Sequence, residues 1–267
     1  MLTEKSFDAG AVTLNCAEGA ANGAPLVFLH GLSDRWQGLG RLIALLEDEW
    51  HVYACDLRGH GKSGRSPSYR AIDYFSDITA FLKYRVGSPA VVLGHSNGAL
   101  TAIGTAAQAP ESVAAIVLLD PPFIQREFSR PPGSTGDFLK GISDILHRRR
   151  TVREFFSEFA PGIGEVGYRW FEETLALVDP GVLDVVIEDR YFEGLKLAEL
   201  LDAVACPALL LYGEVERGGL VRESDVAFFL AHARKGEAVQ IKGTGHFLQA
   251  EQPRKIAEAV TGWRSRM

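Results

Sequence analysis

One stretch decides how the rest of the sequence is interpreted: residues 90–99 are Ala-Val-Val-Leu-Gly-His-Ser-Asn-Gly-Ala. It opens with an apolar run typical of a strand buried on both faces, and an alanine-rich helical segment follows it. Between them, Gly94, Ser96 and Gly98 match the pattern G-x-S-x-G, in which glycines leave room where strand and helix crowd each other. The sequence therefore predicts a serine hydroxyl that projects from a sharp strand-to-helix turn.

Strand and helix signals alternate on both sides of this turn. Strand-like runs lie at residues 26–29, 51–55, 90–93, 114–119, 208–212 and 238–241, and helical patterns at 36–46, 72–86, 99–109, 223–233 and 253–263. Such alternation is typical of a mainly parallel sheet with helices on both faces. From 121 to 205 only helical patterns appear, which predicts a helical cap between two parts of one core, 1–120 and 206–267. The breaker-rich segment 129–136 predicts a mobile loop that gates the site.

Composition excludes several classes of protein. With 46% hydrophobic and 23% charged residues, the chain is typical of a globular domain, and its net charge of −6 disfavours nucleic acid as a partner. No apolar run approaches the ~20 residues that span a bilayer, and the first thirty residues lack a signal-peptide pattern, so we expect a cytoplasmic protein without a membrane partner. Oligomeric state stays open. Cys16, Cys55 and Cys206 are widely spaced, and we expect free thiols.

A serine on such a turn needs a base and hydrogen-bond donors before it can react. His246 lies in the glycine-rich run Gly243-Thr244-Gly245-His246 after the last predicted strand, where a base is needed. Backbone N–H groups from the turn 30–32 and from Asn97 are available to stabilise negative charge on a carbonyl oxygen. The other histidines show no metal-ligand spacing, so we predict no metal and assign them structural roles.

These motifs, together with Asp56-Leu57-Arg58-Gly59-His60-Gly61-Lys62-Ser63, resemble those of the α/β-hydrolase family over nearly the whole chain. The resemblance implies an α/β fold with a mainly parallel eight-stranded sheet flanked by helices and a helical cap inserted after the sixth strand. It also implies a catalytic triad of Ser96, His246 and an acid. The backbone amides of Leu32 and Asn97 would form the oxyanion hole.

The acid departs from the usual pattern of that family. Relatives usually place an aspartate shortly after the seventh strand, but Gly213-Glu214-Val215-Glu216-Arg217 contains none. Asp120, directly after the predicted sixth strand, is the first candidate because Pro121 and Pro122 would hold it rigidly. Glu216 has the expected spacing and is the second candidate, and Glu214 is the third. The sequence leaves the choice among these three open.

Residues 59–64 also imitate a nucleotide-binding motif. Gly59-His60-Gly61-Lys62-Ser63-Gly64 matches G-x-G-x-x-G after a strand, but the polar run 56–58 precedes it and Pro67 interrupts the helix that should follow. Gly61-Lys62-Ser63 also resembles the end of a P-loop, the phosphate-binding motif G-x-x-x-x-G-K-[ST]. However, Asp56 occupies the position of the first glycine of that motif. We therefore predict no cofactor.

The combined pattern predicts a hydrolase with a small-molecule substrate. Ser96 would attack an ester-like carbonyl, His246 would act as general base and then acid, and water would release the acyl group. Carboxylic esters or lactones of a small, largely apolar substrate are the leading prediction because the cap is rich in aromatic residues. Carbon–carbon bond hydrolysis or another acyl transfer is the alternative on the same fold. A nonenzymatic ligand receptor is the alternative from a different class.

Overall fold

A computed structural model describes residues 2–123 and 135–266. Its eight strands form one sheet in the order β1-β2-β4-β3-β5-β6-β7-β8. The strands are β1 (Thr3–Asp8), β2 (Thr13–Ala21), β3 (Pro25–Leu29), β4 (His51–Cys55), β5 (Ala90–His95), β6 (Val113–Leu119), β7 (Ala208–Tyr212) and β8 (Gly236–Gln240). Strands β3 to β8 pair in parallel, whereas β2 pairs antiparallel with both β1 and β4. The predicted α/β fold with a mainly parallel eight-stranded sheet is confirmed.

Helices cover both faces of the sheet, which explains why its central strands are continuous apolar runs. The helices outside the cap are α1 (Gly40–Ile43), α2 (Asp73–Phe81), α3 (Asn97–Gln108), α9 (Glu223–His232), α10 (Leu248–Glu251) and α11 (Pro253–Arg264). Leu100 and Ile103 of α3 pack with Ile78 of α2 in the apolar cluster on one face. Leu42 of α1 and Ile256 of α11 belong to the cluster on the other. The six parallel strands are thus enclosed between two apolar layers.

In the described residues between β6 and β7, five α-helices form the predicted helical cap. They are α4 (Thr135–Leu146), α5 (Val152–Phe159), α6 (Gly164–Leu175), α7 (Gly181–Ile187) and α8 (Leu197–Ala203). Helix α5 begins with a capping box, Thr151 with Glu154, which is a sequence signal for a helix start. The predicted loop 129–136 extends too far at its C-terminal end, because α4 begins at Thr135. Residues 129–134 lie outside the described part of the chain, and the boundaries at 120/121 and 205/206 stay a prediction.

Two local expectations were wrong. The segment predicted as one helix over 36–46 is a 3₁₀ helix, Trp36–Leu39, followed by the short α1. Cys16 and Cys55, expected as free thiols, form a disulfide, and Cys206 is free. The two cysteines face each other in the β2–β4 pairing, with their Cα atoms 4.0 Å apart. That proximity follows from the order of the strands and not from any spacing along the chain.

The glycine-rich run after β4 forms a compact turn and does not open a helix. The carboxylate of Asp56 accepts hydrogen bonds from Asn15 Nδ2 (2.9 Å), Trp36 N (2.9 Å) and Lys62 N (3.0 Å). A side chain at Gly61 would lie 2.2 Å from Asp56 Oδ2, so the turn closes around this carboxylate. No helix within residues 2–123 or 135–266 has both the length and the apolar character to cross a membrane.

Gly104 and Gly262 are a matched pair of glycines inside helices with opposite surroundings. A methyl group at Gly104, in α3, would lie 2.2 Å from Cδ2 of Phe75, whereas one at Gly262, in α11, would meet nothing within 4 Å. Both alanine substitutions gain helix propensity worth about 0.5–1 kcal/mol. We expect Gly262→Ala to raise the free energy of unfolding by that amount and Gly104→Ala to lower it by about 1–3 kcal/mol through overpacking. Urea titrations measure both, and equal effects would contradict the tight α2–α3 contact.

Candidate active site

The turn after β5 presents Ser96 at the carboxyl edge of the sheet. Ser96 has φ 53° and ψ −113°, a left-handed conformation that is strained for any residue other than glycine. A methyl group would lie 2.1 Å from Gly98 O if placed at Gly94, and 2.2 Å from Leu29 O if placed at Gly98. Every residue of β5 is buried, whereas Ser96 is partly exposed. The strained turn therefore holds the serine where a ligand can reach it.

His246 and Asp120 form a close pair. His246 Nδ1 lies 2.7 Å from Asp120 Oδ2. Asp120 is completely buried, and its carboxylate also accepts hydrogen bonds from Leu220 N (2.8 Å), Gly213 N (3.3 Å) and Val221 N (3.4 Å). With a carboxylate beside it, Nδ1 carries the ring proton and donates it to Asp120. The Nε2 atom of His246 then keeps a lone pair and is able to accept a proton.

Within the described residues, the two glutamates considered from the sequence are not paired with His246, although Glu216 lines the larger of the two cavities that His246 lines. Glu216 is exposed in the 3₁₀ helix Val215–Arg217. Glu214 accepts hydrogen bonds from Arg217 Nε (2.9 Å) and Gly243 N (3.2 Å). Across the described residues, no hydrogen bond joins either glutamate to His246, so the structure brings only Asp120 into contact with this ring.

The loop after β3 carries Leu32 beside the serine, and two buried histidines hold this loop. His30 Nε2 accepts a hydrogen bond from Leu57 N (2.9 Å), and His60 Nε2 accepts one from Ser33 N (3.2 Å). Each ring donates from Nδ1 to a backbone carbonyl, so both histidines are neutral. Burial lowers the pKa of His30 to about 4 and that of His60 to about 3. The loops 30–33 and 56–63 are thereby tied together.

The N–H groups of Leu32 and Asn97 are available to a ligand. Within the described ranges, no backbone hydrogen bond uses either donor. Asn97 begins α3, where the helix dipole favours negative charge. Both residues line the same cavity as Ser96. This arrangement is suited to holding an anionic oxygen next to the serine.

Two contacts around the serine were not predicted from the sequence. Tyr191, from the cap, donates its hydroxyl proton to Asn97 Oδ1 (2.5 Å), and burial raises the pKa of Tyr191. His95 donates from Nε2 to the carbonyl oxygen of His246 (2.9 Å) and so fixes the backbone of that residue. Burial and the nearby His246 hold the pKa of His95 well below its usual range. The sequence gives no signal for Tyr191, because its contact depends on how the cap folds over the core.

Two adjoining cavities open at this edge. The smaller, about 40 Å³, lies around Ser96 and His246. The larger, about 780 Å³, extends under the cap and shares His246 and Phe247 with the smaller one. Its apolar wall consists mainly of cap residues, namely Phe138, Phe156, Phe159, Ile163 and Phe171. In the part of the chain that the structure describes, no three His, Cys, Asp or Glu side chains are grouped to hold a metal ion.

The fold and this edge of the sheet define an α/β hydrolase. The sequence matches the alpha/beta hydrolase family over residues 26–259, and the chain belongs to that family. A curated relative, 2-(acetamidomethylene)succinate hydrolase from Mesorhizobium japonicum, is 34% identical over 125 residues, which span 46% of this chain but only 45% of the relative. The bifunctional esterase/perhydrolase of Acinetobacter calcoaceticus is 26% identical over 209 residues, or 72% of this chain and 74% of the relative.

Solved structures agree on the fold. A crystal structure of an N-formylmaleamic acid deformylase from Pseudomonas putida superposes with a TM-score of 0.81 and 19% identity, covering 97% of this chain and all of the other. At this identity the likeness establishes the fold alone.

The buried neutral histidines should make stability depend on pH. An unfolded histidine has a pKa of about 6.5, so below that pH the unfolded chain binds protons that folded His30 and His60 do not. The free energy of unfolding should therefore fall with decreasing pH, by up to about 1.4 kcal/mol per pH unit for each such histidine. His60→Gln does not titrate and should reduce this slope between pH 6 and 5 by about one proton. Urea unfolding at several pH values measures the slope, and an unchanged slope would contradict a buried neutral His60.

Proposed function

We propose that the chain is a serine hydrolase that cleaves a carboxylic ester or lactone of a small, largely apolar substrate through an acyl-enzyme on Ser96. The observation that carries the proposal is the pairing of His246 with the buried Asp120 at 2.7 Å, because the ring of His246 lines the same cavity as Ser96. A serine on a strained turn and a histidine with a free Nε2 are the two groups that acyl transfer requires.

In the proposed mechanism Ser96 Oγ attacks the carbonyl carbon, and His246 Nε2 takes the hydroxyl proton. The charge on the carbonyl oxygen is stabilised by the N–H groups of Leu32 and Asn97. Asp120 holds the imidazole in the required tautomer and stabilises the imidazolium that forms. His246 then protonates the leaving group, and a water molecule activated by the same nitrogen releases the acid and restores Ser96.

The substrate class is supported by the cavities and by the relatives. The space around Ser96 is small, and cap phenylalanines form much of the apolar wall of the adjoining 780 Å³, which suits an apolar acyl or alcohol group. The same cavity is also lined by the charged residues Glu216, Arg217, Arg222 and Glu251. One relative is described as an esterase/perhydrolase. Another is described as a hydrolase of 2-(acetamidomethylene)succinate, so related chains also act on other acyl compounds.

Ser96→Ala should abolish ester hydrolysis and leave the fold intact, because the hydroxyl is the only group removed. Turnover of p-nitrophenyl esters and an unfolding curve measure the two effects. Intact-mass analysis after treatment with an organophosphonate should show one adduct, located on Ser96. Labelling at another residue would overturn the assignment of the nucleophile.

Three matched carboxylate-to-amide variants test the acid. Asp120→Asn should lower kcat by roughly 10⁴, because an amide favours the wrong histidine tautomer. Glu214→Gln and Glu216→Gln serve as controls and should change kcat by less than about threefold, since neither carboxylate is hydrogen-bonded to His246 in the described structure and the charge of Glu216 is exposed. All three are measured with one ester, and a large loss confined to Glu216→Gln would transfer the role to that residue.

A broader screen separates the other activities. Esters of graded length, lactones and vinylogous diketones distinguish ester hydrolysis from carbon–carbon bond hydrolysis. Saturable binding without turnover of any of them would indicate a ligand receptor and overturn the proposed function.

A further inference from the structure

Asp34 is an acidic residue in the wall of the cavity around Ser96, and the proposed mechanism does not use it. It follows Leu32 on the loop after β3 and lines the same small cavity as Ser96. Its carboxyl accepts one hydrogen bond within the described ranges, from the backbone N–H of Arg35 (2.8 Å). A side chain at Gly38 would lie 2.2 Å from Asp34 Oδ2, so the glycine leaves the space that the carboxyl occupies. Asp34 therefore gives the wall of this cavity a carboxyl group with unused hydrogen-bonding capacity.

A ligand that fills the cavity displaces water from this carboxyl. A buried polar group that loses its water without gaining a partner is strongly unfavourable. The environment already disfavours its charge: burial and the charge of Asp56 raise the pKa of Asp34 to about 7, while Arg35 acts in the opposite direction. The other titratable groups in the wall of this cavity are His95, Tyr191 and His246. A substrate that brings its own hydrogen-bond donor would avoid the loss.

We infer that Asp34 is a specificity-determining residue that accepts a hydrogen bond from a hydroxyl or N–H group of the substrate near the scissile carbonyl. The inference rests on the proposed function, because it names the kind of ester that the same site takes. The substrate is then apolar in the part that enters the large cavity and carries one donor close to the reacting carbon.

The substitution Asp34→Asn tests substrate recognition because it removes the proposed substrate contact and keeps the hydrogen bond to the local backbone. The asparagine keeps an oxygen for the Arg35 N–H, so the start of the 3₁₀ helix Trp36–Leu39 is preserved. The remaining amide NH₂ donates and does not accept, which removes the proposed contact with substrate. Asp8→Asn is the matched control, since Asp8 is exposed on the surface and likewise accepts a backbone N–H, from Gly10 (2.8 Å).

The experiment compares two pairs of esters in which a hydroxyl replaces a methyl group. Phenyl 3-hydroxybutyrate is paired with phenyl 3-methylbutyrate for the acyl side, and 2-hydroxyethyl butyrate with propyl butyrate for the alcohol side. In at least one pair, the wild type should favour the hydroxyl ester in kcat/KM by about tenfold to a hundredfold. The preference should increase from pH 6 to 8 as Asp34 ionises. Ionisations that affect both esters alike cancel in the ratio.

Asp34→Asn should lose the preference and its dependence on pH, and Asp8→Asn should retain both. Equal preference in the wild type and Asp34→Asn, or no preference of the wild type in either pair, overturns the role of Asp34 while turnover itself still supports the proposed function. If the wild type turns over none of the four esters and none of the esters and lactones of the broader screen, the proposed function fails. Calorimetry then measures binding of a hydroxyl ester to Ser96→Ala and to the double variant Ser96→Ala/Asp34→Asn. Tighter binding to the variant that keeps Asp34 supports the role of Asp34, and equal binding overturns it.

Discussion

At the turn after β5, backbone segments lie so close together that glycine is required at two positions. A methyl group would lie 2.1 Å from a backbone oxygen at Gly94 and 2.2 Å from one at Gly98. The second of these oxygens belongs to Leu29, at the end of β3, so α3, β5 and the loop after β3 meet at one point. The contact stabilises a conformation of Ser96 that costs on the order of 1–3 kcal/mol by itself. It also brings Leu32 close to the serine, because Leu32 lies three residues after the end of β3 and lines the same cavity as Ser96.

A second constraint is the buried charge of Asp120. A carboxylate that is completely buried is stable only if donors surround it, and here the donors are three backbone N–H groups and the His246 ring. Asp120 follows β6, Gly213 and Leu220 follow β7, and His246 follows β8. The three loops are therefore held together by one carboxylate. Because parallel strands end at the same edge of a sheet, their loops meet there although the residues lie far apart in sequence.

The sequence predicted a structural feature correctly where all the residues that form it lie within one continuous segment. Residues 90–109 contain the strand, the turn and the helix, so the position of Ser96 followed from the sequence. The choice between Asp120 and Glu216 did not, because it depends on how two loops fold against a third strand. The disulfide between Cys16 and Cys55 was missed for a similar reason, since β2 and β4 become neighbours only through the order of strands in the sheet.

The cap contacts the core at two places near the serine, at the start of α3 and at the loop after β3. Tyr191 is hydrogen-bonded to Asn97, whose own N–H faces the cavity from the start of α3. At the loop after β3, the guanidinium of Arg35 stacks on Trp170 of α6 at 4.5 Å and pairs with Glu173 at 3.3 Å. Since Arg35 belongs to the loop that presents the other N–H donor, a displacement of α6 would move that loop. The sheet thus sets where the reacting groups lie, and the cap sets how firmly the donors are held and how much space a ligand has.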